Sequence, residues 1–330
     1  MIWYKDNNDG IVISTRIRLA RNIEKTPFPN ALANKKEVNE KISSALLSGK
    51  NALPLEYIDL DKVSDLEKRK LEEEHLISPI MLEGKDRAVL MSKDKTMSIM
   101  LMEEDHIRLQ VIMGGNRLDE AYDMATKTDD AIEEKISYAF DEEFGYLTSC
   151  PTNTGTGMRA SLMLHLPALT MTRNIKKVID SAAALGITVR GLYGEGSRAD
   201  GSFYQISNSV TMGITETQII EKLKTVVNQI IETEKKARSF LSSKSGEQLR
   251  DKLYRSYGVA KYARAVSSEE ALSLISDVML GINMGIIKEK GKISPTEAMV
   301  LSSPALICGG KELAAAERDR RRADFLRENL

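Results

Sequence analysis

Three short apolar runs constrain the fold of this chain more than any other feature of its sequence. The first, Arg87 to Met91, is separated from the second, Met97 to Met102, by the polar residues Ser92 to Lys95. This pattern is typical of a β-hairpin. A third run, Ile107 to Met113, follows almost at once. The sequence therefore predicts consecutive strands joined by short turns.

Apolar spacing elsewhere predicts further strands and helices. Strand periodicity occurs at Ile11–Ile13 and onward, Ser161–Leu166, Ile187–Val189 and Phe203–Val210. Helical periodicity occurs at Lys35–Leu47, Val63–Leu76, Leu118–Phe144, Met171–Ala184 and Glu216–Phe240. Beyond Ser242–Gly246 the pattern changes to short helical segments. We therefore expect one domain over residues 1–240 and a helical C-terminal domain over residues 241–330.

The composition limits the classes of partner. A formal net charge of -1 argues against bulk attraction to nucleic acid or membranes. The first residues lack an apolar leader, and no window approaches the roughly 18 apolar residues of a membrane helix. Cys150 and Cys308 are too few for a disulfide framework or a zinc site. We expect a cytoplasmic protein whose two cysteines stay as thiols.

The stretch from Cys150 to Ser161 has the composition of a phosphate-binding loop. It combines small hydroxyl residues, two glycines and Arg159, so backbone N–H groups can approach a ligand and the guanidinium can face an anion. The spacing is not that of a P-loop. An ordinary Gly/Thr turn after Pro151 is the alternative interpretation.

Four more arginines stand at strand ends and loops. Arg16 and Arg18 share a face of the first strand, and two guanidinium groups side by side repel unless an anion lies between them. Arg108 lies on the third apolar run, and Arg190 leads into a glycine-rich stretch. A half-buried strand with a solvated arginine face is the alternative for Arg16 and Arg18. Together with Arg159 these five side chains can clamp a triphosphate.

Acidic residues suggest a cationic second substrate. Glu104 belongs to the run Glu-Glu-Asp-His at 103–106, where three carboxylates beside a histidine are costly unless something cationic binds. Glu195 lies on the glycine-rich stretch 191–201, which is typical of a mobile flap or of a solvated loop. His75 follows three glutamates and either ends a helix or stacks on a planar ring. Phosphoryl transfer needs mainly positioning and charge neutralisation, which such a site supplies.

Five motifs closely resemble those of the phosphagen (guanidino) kinases, the creatine and arginine kinases. They occur in the family's order over roughly residues 11 to 235: Ser-Thr-Arg-Ile-Arg at 14–18, Glu-Glu-Asp-His-Ile-Arg at 103–108, Cys-Pro-Thr-Asn-Thr-Gly-Thr-Gly-Met-Arg-Ala at 150–160, Arg-Gly-x-x-Gly-Glu at 190–195 and Ile-Ser-Asn at 206–208. The resemblance implies an α+β fold, an antiparallel sheet flanked by helices.

The resemblance also implies roles. The five arginines would hold the phosphates of ATP, with His75 near the adenine. Glu104 and Glu195 would orient the guanidinium of the acceptor, and Cys150 as a thiolate would lie against its non-reacting nitrogen. Mg²⁺ would be held mainly by phosphates and water.

Two departures resemble the bacterial protein arginine kinases of the McsB type. The helical domain that precedes Ser-Thr-Arg in creatine and arginine kinases is missing, and the C-terminal part carries Arg318-Asp319-x-x-Arg322-Ala323. The resemblance implies phosphorylation of arginine in proteins, a homodimer, an activator protein, and delivery of marked proteins to a Clp unfoldase and protease. Arg318 and Arg322 fall on one helix face, so we expect them, with Asp319, to form an allosteric phosphoarginine site.

Two other functions stay open at this stage. A kinase of small guanidines such as creatine or arginine would share the site, but the missing N-terminal domain argues against it. A non-catalytic phosphoarginine-binding adaptor would lack a phosphate arginine or one of the two glutamates, and none is absent.

Overall fold

The computed structural model describes residues 2–6, 10–49, 52–192, 200–289 and 291–330. The strands within these ranges are β1 (Val12–Arg21), β2 (Leu55–Asp59), β3 (Ala88–Ser92), β4 (Met97–Leu101), β5 (Ile107–Gly114), β6 (Phe140–Asp141), β7 (Gly145–Tyr146), β8 (Met158–His165), β9 (Ile187–Gly191) and β10 (Phe203–Asn208). The helices are α1 (Lys35–Leu47), α2 (Asp65–Glu73), α3 (Leu118–Glu133), α4 (Pro167–Met171), α5 (Ile175–Ala184), α6 (Glu216–Tyr262), α7 (Ser268–Asn283), α8 (Pro295–Leu301) and α9 (Ala315–Asn329).

Eight strands form one antiparallel sheet in the order β2-β3-β4-β5-β1-β8-β10-β9. The consecutive strands β3, β4 and β5 are neighbours because their connections are too short for a crossover. This confirms the hairpin predicted from the three apolar runs. Strand β1 lies near the middle of the sheet, between β5 and β8, and β6 pairs with β7 in a separate small hairpin.

The two faces of the sheet have different neighbours. Ile17 and Leu19 of β1 point into the main hydrophobic core, which helices α1, α3, α5 and the first half of α6 cover. The opposite face packs partly on the C-terminal helices, through a second core that includes Ile13, Trp3 and Leu326. Arg16 and Arg18 alternate with Ile17 and therefore lie on this second face.

Helix α6 runs through the position where the sequence indicates a domain boundary. It begins at a capping box, in which Thr215 Oγ1 accepts from Gln218 N at 3.2 Å and Gln218 Oε1 accepts from Thr215 N at 2.9 Å. It continues to Tyr262, so the prediction of a helix ending at Phe240 is wrong. Ser245, in the predicted boundary segment, interrupts the helical backbone with φ -139° and ψ 34°.

The predicted helix Leu118–Phe144 is also too long. Helix α3 ends at Glu133, and the residues that follow pair with other segments instead. Ile23 bridges to Tyr138, and Ala139 N donates to Asn22 O at 2.7 Å. Apolar residues at helical spacing continue past the end of α3, but these tertiary pairings override that local preference. The predicted helix Met171–Ala184 begins too early, because α5 starts at Ile175 and Met171 is the last residue of the separate short helix α4.

Among the described residues, no helix is both long and apolar enough to cross a bilayer.

Candidate active site

The register of the sheet brings the five candidate arginines to one face. Arg18 lies directly opposite Arg159 on β8, and Ala20 lies opposite Arg108 on β5. Because side chains alternate along a strand, every second residue of β1 joins this face. The same alternation through β10 and β9 places Arg190 there too. The structure thus brings together the arginines at positions 16, 18, 108, 159 and 190.

These guanidinium groups repel one another in a partly desolvated site. Burial lowers the pKa of Arg16 to about 10, with Arg108 and Arg159 adding to the shift. Burial, followed by the charge of Arg16, lowers the pKa of Arg18 well below its usual value. Burial and the charge of Arg190 lower the pKa of Arg159. An anion that lies against such a cluster relieves this repulsion and stabilises the charged form of each guanidinium.

Unsatisfied donors in the cluster indicate where that anion belongs. The Nε atoms of Arg18 and Arg159 are buried without a hydrogen-bond partner among the described residues. Arg159 Nη2 donates to Ser207 Oγ at 3.3 Å, so the side chain is held in place while its Nε stays free. Orphaned guanidinium donors on a cationic surface fit the phosphate oxygens of a nucleotide.

Among the described residues, Arg108 differs from the other four arginines because it already has a carboxylate partner. Its guanidinium donates to the buried carboxylate of Glu103, which also accepts from Ser78 Oγ at 2.5 Å. Burial alone would raise the pKa of Glu103, but Arg108 and these hydrogen bonds lower it. Glu103 therefore serves to position Arg108.

The acidic run 103–106 does not act as one cation site. Asp105 Oδ1 accepts from Asn22 Nδ2 and from Ser149 N, both at 2.7 Å. His106 is fully buried, and its Nδ1 accepts from Ile23 N at 3.1 Å. These are structural bonds, so our interpretation of the run as acids awaiting a shared cation is wrong in part.

Glu104 is the member of the run that remains available. Its side chain is half-buried and has no hydrogen-bond or ion-pair partner in the described part of the chain. Burial raises the pKa of this carboxyl, and the charges of Asp105 and Glu103 raise it further. A carboxylate with a raised pKa is a stronger base, which suits the acceptance of a proton.

Cys150 follows a residue that is hydrogen-bonded to Glu104. Ser149 Oγ donates to Glu104 O at 2.8 Å, so the residue before Cys150 is tied to the glutamate. The thiol is half-buried, and its Sγ lies 3.0 Å from Thr152 Oγ1. Ser149 thus ties the start of the Cys150 loop to the backbone of Glu104, and a shared role of the two side chains stays a prediction.

The backbone of the Cys150 loop is not a phosphate cradle. The N–H groups of Asn153, Thr154, Gly155 and Thr156 all donate to carbonyl oxygens within the protein. A Cβ on Gly155 would lie 2.2 Å from Thr211 O, so this glycine permits close packing and not the approach of a ligand. The expectation that loop N–H groups bind phosphate is wrong for these residues, and the loop's contribution is Arg159 at the start of β8.

His75 lies near Arg16 in a small cavity. The imidazole stacks on Trp3 with ring centroids 5.3 Å apart, and its backbone carbonyl accepts from Gln110 Nε2 at 2.8 Å. Burial lowers the pKa of His75 to about 3, with Arg16 contributing, so the ring is neutral at physiological pH. The cavity is lined by Ser14, Arg16, His75, Ile112, Ser161, Met163, Leu192 and Gln205. Nothing in the sequence pointed to Trp3.

The C-terminal motif does not have the predicted geometry. Arg322 is fully buried: its Nε donates to Ser302 O at 2.8 Å, and its Nη1 donates to Val266 O and to Asp319 Oδ1, both at 2.8 Å. The prediction that Arg318 and Arg322 clamp one phosphoryl group is therefore wrong for Arg322. Spacing on a helix shows a shared face, but not whether that face is covered. Glu195 lies outside the described residues.

Within the part of the chain that the structure describes, no group of three or more His, Cys, Asp or Glu side chains is placed to hold a metal ion.

Comparison with known proteins identifies the family of this chain. The family model described as ATP:guanido phosphotransferase, C-terminal catalytic domain, matches residues 37–237, and the model for the C-terminal domain of the protein-arginine kinase McsB matches residues 246–330. A protein-arginine kinase of Halothermothrix orenii is 46% identical over 97% of this chain and 93% of its own length. The chain belongs to the protein-arginine kinase family of ATP:guanido phosphotransferases.

Other relatives extend the comparison. A protein-arginine kinase of Bacillus subtilis is 44% identical to this kinase over 99% of the chain and 93% of its own length. Among solved structures, a duplicated taurocyamine kinase from Schistosoma mansoni has a TM-score of 0.62 and 29% identity, covering 69% of this chain and 34% of its own. A lombricine kinase has a TM-score of 0.61 and 25% identity, covering 73% and 70%. The antiparallel sheet with flanking helices is thus confirmed as the phosphagen-kinase fold.

Proposed function

We propose that this kinase transfers the γ-phosphoryl group of ATP to arginine side chains in proteins, through the site on the arginine-bearing face of the sheet. The observation that carries the proposal is the pair of buried Nε atoms without a partner, on Arg18 and Arg159. The arginine cluster to which they belong is close in the chain to Glu104, because Arg108 lies on β5 and Glu104 lies in the turn just before β5. A cluster of arginines favours a polyphosphate, and a neighbouring carboxylate favours a guanidinium.

On the nucleotide side, the five arginines bind phosphate oxygens. ATP would supply the phosphoryl group, and Mg²⁺ would be held mainly by phosphate oxygens and water, where it would neutralise phosphate charge. Because the guanidinium groups are placed on β-strands, little rearrangement is needed as charge moves to the leaving phosphate, and this preorganisation lowers the barrier. Neutral His75, next to Arg16, offers a flat ring beside the adenine.

On the acceptor side, the guanidinium must lose a proton as it reacts. An arginine side chain has a pKa above about 12 and no free lone pair, so it is a poor nucleophile until a carboxylate orients it. Glu104 accepts the proton released as the N–P bond forms and the bond to the departing ADP breaks. Glu195 supplies the second carboxylate, and the Cys150 sulfur lies against a nitrogen that does not react.

The decisive test separates the substrate classes. Radiolabelled ATP is incubated with an unstructured arginine-containing protein, with free L-arginine and with creatine, and kcat/KM is compared. We expect the protein to be the better substrate and its label to be lost in acid, because a P–N bond is acid-labile. A small guanidine that exceeds the protein by about tenfold, or about 1.4 kcal/mol in transition-state binding, would contradict the proposal.

We further propose that residues 1–240 form the catalytic domain and residues 241–330 a C-terminal helical domain for dimerisation and phosphoarginine binding. The two family matches meet close to Ser245, where helix α6 is interrupted. Arg318 is half-exposed, and its Nη1 donates to Leu313 O at 3.1 Å, so the guanidinium can still contact a phosphoryl group. Buried Arg322 donates to the carboxylate of Asp319 and fixes its position. Calorimetry with phosphoarginine should show weaker binding by Arg318→Ala and unchanged binding by the control Arg320→Ala, an exposed arginine of the same helix.

The partners are also part of the proposal. We infer a cytoplasmic homodimer that an activator protein stimulates and whose products a Clp unfoldase and protease degrade. Two free thiols and the use of ATP agree with a reducing, ATP-rich compartment. Light scattering during gel filtration would test the dimer, and a monomer at micromolar concentration would contradict it.

A further inference from the structure

A small hairpin beside the Cys150 loop exposes two aromatic rings. In the β6–β7 hairpin Phe140 pairs with Tyr146, and Asp141 pairs with Gly145. Phe140 is 57% exposed and Phe144 is 46% exposed. Exposure of a large aromatic side chain to water is unfavourable. Two exposed rings on one short hairpin therefore indicate a surface that binds a partner.

The tip of this hairpin is held in shape. The carboxylate of Asp141 accepts from Glu143 N at 2.9 Å and from Phe144 N at 3.0 Å, which closes the turn. At the base, the guanidinium of buried Arg21 lies 3.6 Å from the centroid of the Tyr146 ring. The hairpin is therefore presented as a preformed surface, and little conformational entropy is lost when it binds.

The hairpin is continuous with the acceptor side of the active site. Tyr146 N donates to Gly155 O at 2.8 Å, and the chain between these two residues contains Cys150. Phe144 is six residues from Cys150, so an extended chain bridges them in at most about 20 Å. An extended substrate segment also rises about 3.3 Å per residue. When its target arginine lies at Cys150, a residue up to about six positions from that arginine can therefore contact the hairpin.

The charge of the hairpin complements a basic chain. Its seven residues include Asp141, Glu142 and Glu143 and no lysine or arginine. Glu142 and Glu143 are exposed, and neither has an ion pair in the described ranges. A surface that combines aromatic rings with carboxylates favours a partner that carries apolar side chains and cations.

We propose that Phe140, Glu142, Glu143 and Phe144 form a docking surface for the substrate chain on one side of its target arginine. This deepens the proposed function and rests on it. The occupant is an unfolded segment with an aromatic or aliphatic residue and a lysine or arginine within about six positions of that arginine. Folded proteins bury such apolar residues, so the surface selects unfolded chains.

The test uses two short synthetic peptides, each with one arginine. The first has phenylalanine and lysine near the arginine, and the second has only glycine and serine there. We expect the parent enzyme to favour the first by about tenfold in kcat/KM, through KM, which corresponds to about 1.4 kcal/mol of binding. Phe140→Ser/Phe144→Ser and Glu142→Lys/Glu143→Lys should each lose most of this preference and keep the parent's kcat/KM on the second peptide.

The matched control is Phe240→Ser, which removes a ring of similar exposure, 54%, from helix α6. It should keep the preference. The inference is overturned if the parent shows no preference, if both double variants retain it, or if the variants change only the oligomeric state, since the hairpin would then join copies of the chain. Phosphorylation of neither peptide and of no protein would instead contradict the proposed function.

Discussion

Arg18 and Arg159 lie directly opposite each other on neighbouring strands, and the Nε atom of each is buried with no partner among the described residues. Two like charges at adjacent positions of a sheet destabilise the fold. The arrangement is useful only when a polyanion binds between them. The proposed nucleotide site therefore lowers the stability of the protein that carries it.

The first prediction concerns the cost of this charge pair. The folded-state pKa of Arg18 lies below its unfolded value, so the charged side chain destabilises the fold at neutral pH. Arg18→Met should raise the melting temperature of the nucleotide-free protein by about 2–4 °C, corresponding to about 1 kcal/mol, and lower kcat/KM by more than about a hundredfold.

The control for this prediction is Arg21→Met. Arg21 is fully buried and, unlike Arg18, is paired with a carboxylate, that of Asp129 at 2.6 Å, so its loss should cost about 3–5 kcal/mol of stability. A destabilised Arg18→Met protein would contradict the argument.

The second prediction is that ATP binding stabilises the folded protein, because the phosphates relieve the repulsion between the arginines. ATP at about a hundred times its dissociation constant should stabilise the parent by about 2.7 kcal/mol, measured by thermal or urea unfolding. The increment should shrink strongly in Arg18→Met, because one of the phosphate contacts is gone. An equal increment in both proteins would place the phosphates elsewhere.

The third prediction concerns Glu104. Glu104→Gln should lower kcat at least about a hundredfold and leave the dissociation constant of ATP nearly unchanged, because the carboxylate serves the acceptor and not the nucleotide. The same loss is expected for Glu195→Gln. In the parent, burial raises the pKa of Glu104 above 4.5. Since the base must be deprotonated, kcat/KM should fall as the pH is lowered through that raised value. Near-parental turnover in both variants would exclude this mechanism.

Alkylation should distinguish the two cysteines. Cys308 is 3% exposed and its thiol donates to Pro304 O at 3.1 Å, whereas Cys150 is half-buried and lies at the proposed acceptor site. Iodoacetamide should therefore label Cys150 first, as mass spectrometry of digests would show. ATP together with an arginine-containing peptide should slow that labelling. Preferential modification of Cys308 would contradict the placement.

The fifth prediction follows from the burial of Arg322. Arg322→Ala leaves the carbonyls of Ser302 and Val266 without a donor and should lower the free energy of unfolding by about 3 kcal/mol. Urea unfolding measures this directly. Arg320→Ala, an exposed arginine two positions away, should change stability by less than about 0.5 kcal/mol. Equal stability of the two variants would show that the buried hydrogen bonds do not support the fold.

Much of the site could be predicted because its arginines stand at recognisable periodic positions. Arg16 and Arg18 share a strand face by sequence alone, and the register of neighbouring strands then decides which other residues join them. That register depends on long-range pairing, which a single sequence does not reveal. For the same reason the sequence could not show that Glu103 pairs with Arg108 or that Trp3 stacks on His75.

The errors have a common physical origin. Leu118–Phe144 has apolar residues at helical spacing throughout, but the backbone after Glu133 finds better partners in residues distant along the chain. Arg322 has the spacing of an exposed helical clamp, but helix α9 turns it towards the protein interior. Local periodicity predicts the type of an element well, and it predicts the surroundings of a polar side chain poorly.

The second hydrophobic core also bears on how the chain folds during synthesis. Trp3 is fully buried in the same cluster as Leu326 and Leu330, so residues from the two ends of the sequence complete each other's packing. At about 5–20 residues per second, a ribosome needs on the order of half a minute between adding the first and the last of them. Over that interval Trp3 has no finished site, and neither has His75, which stacks on it. The strands of the sheet can therefore pair early, but the packing around Trp3 and His75 is completed after the C-terminal helix has left the ribosome.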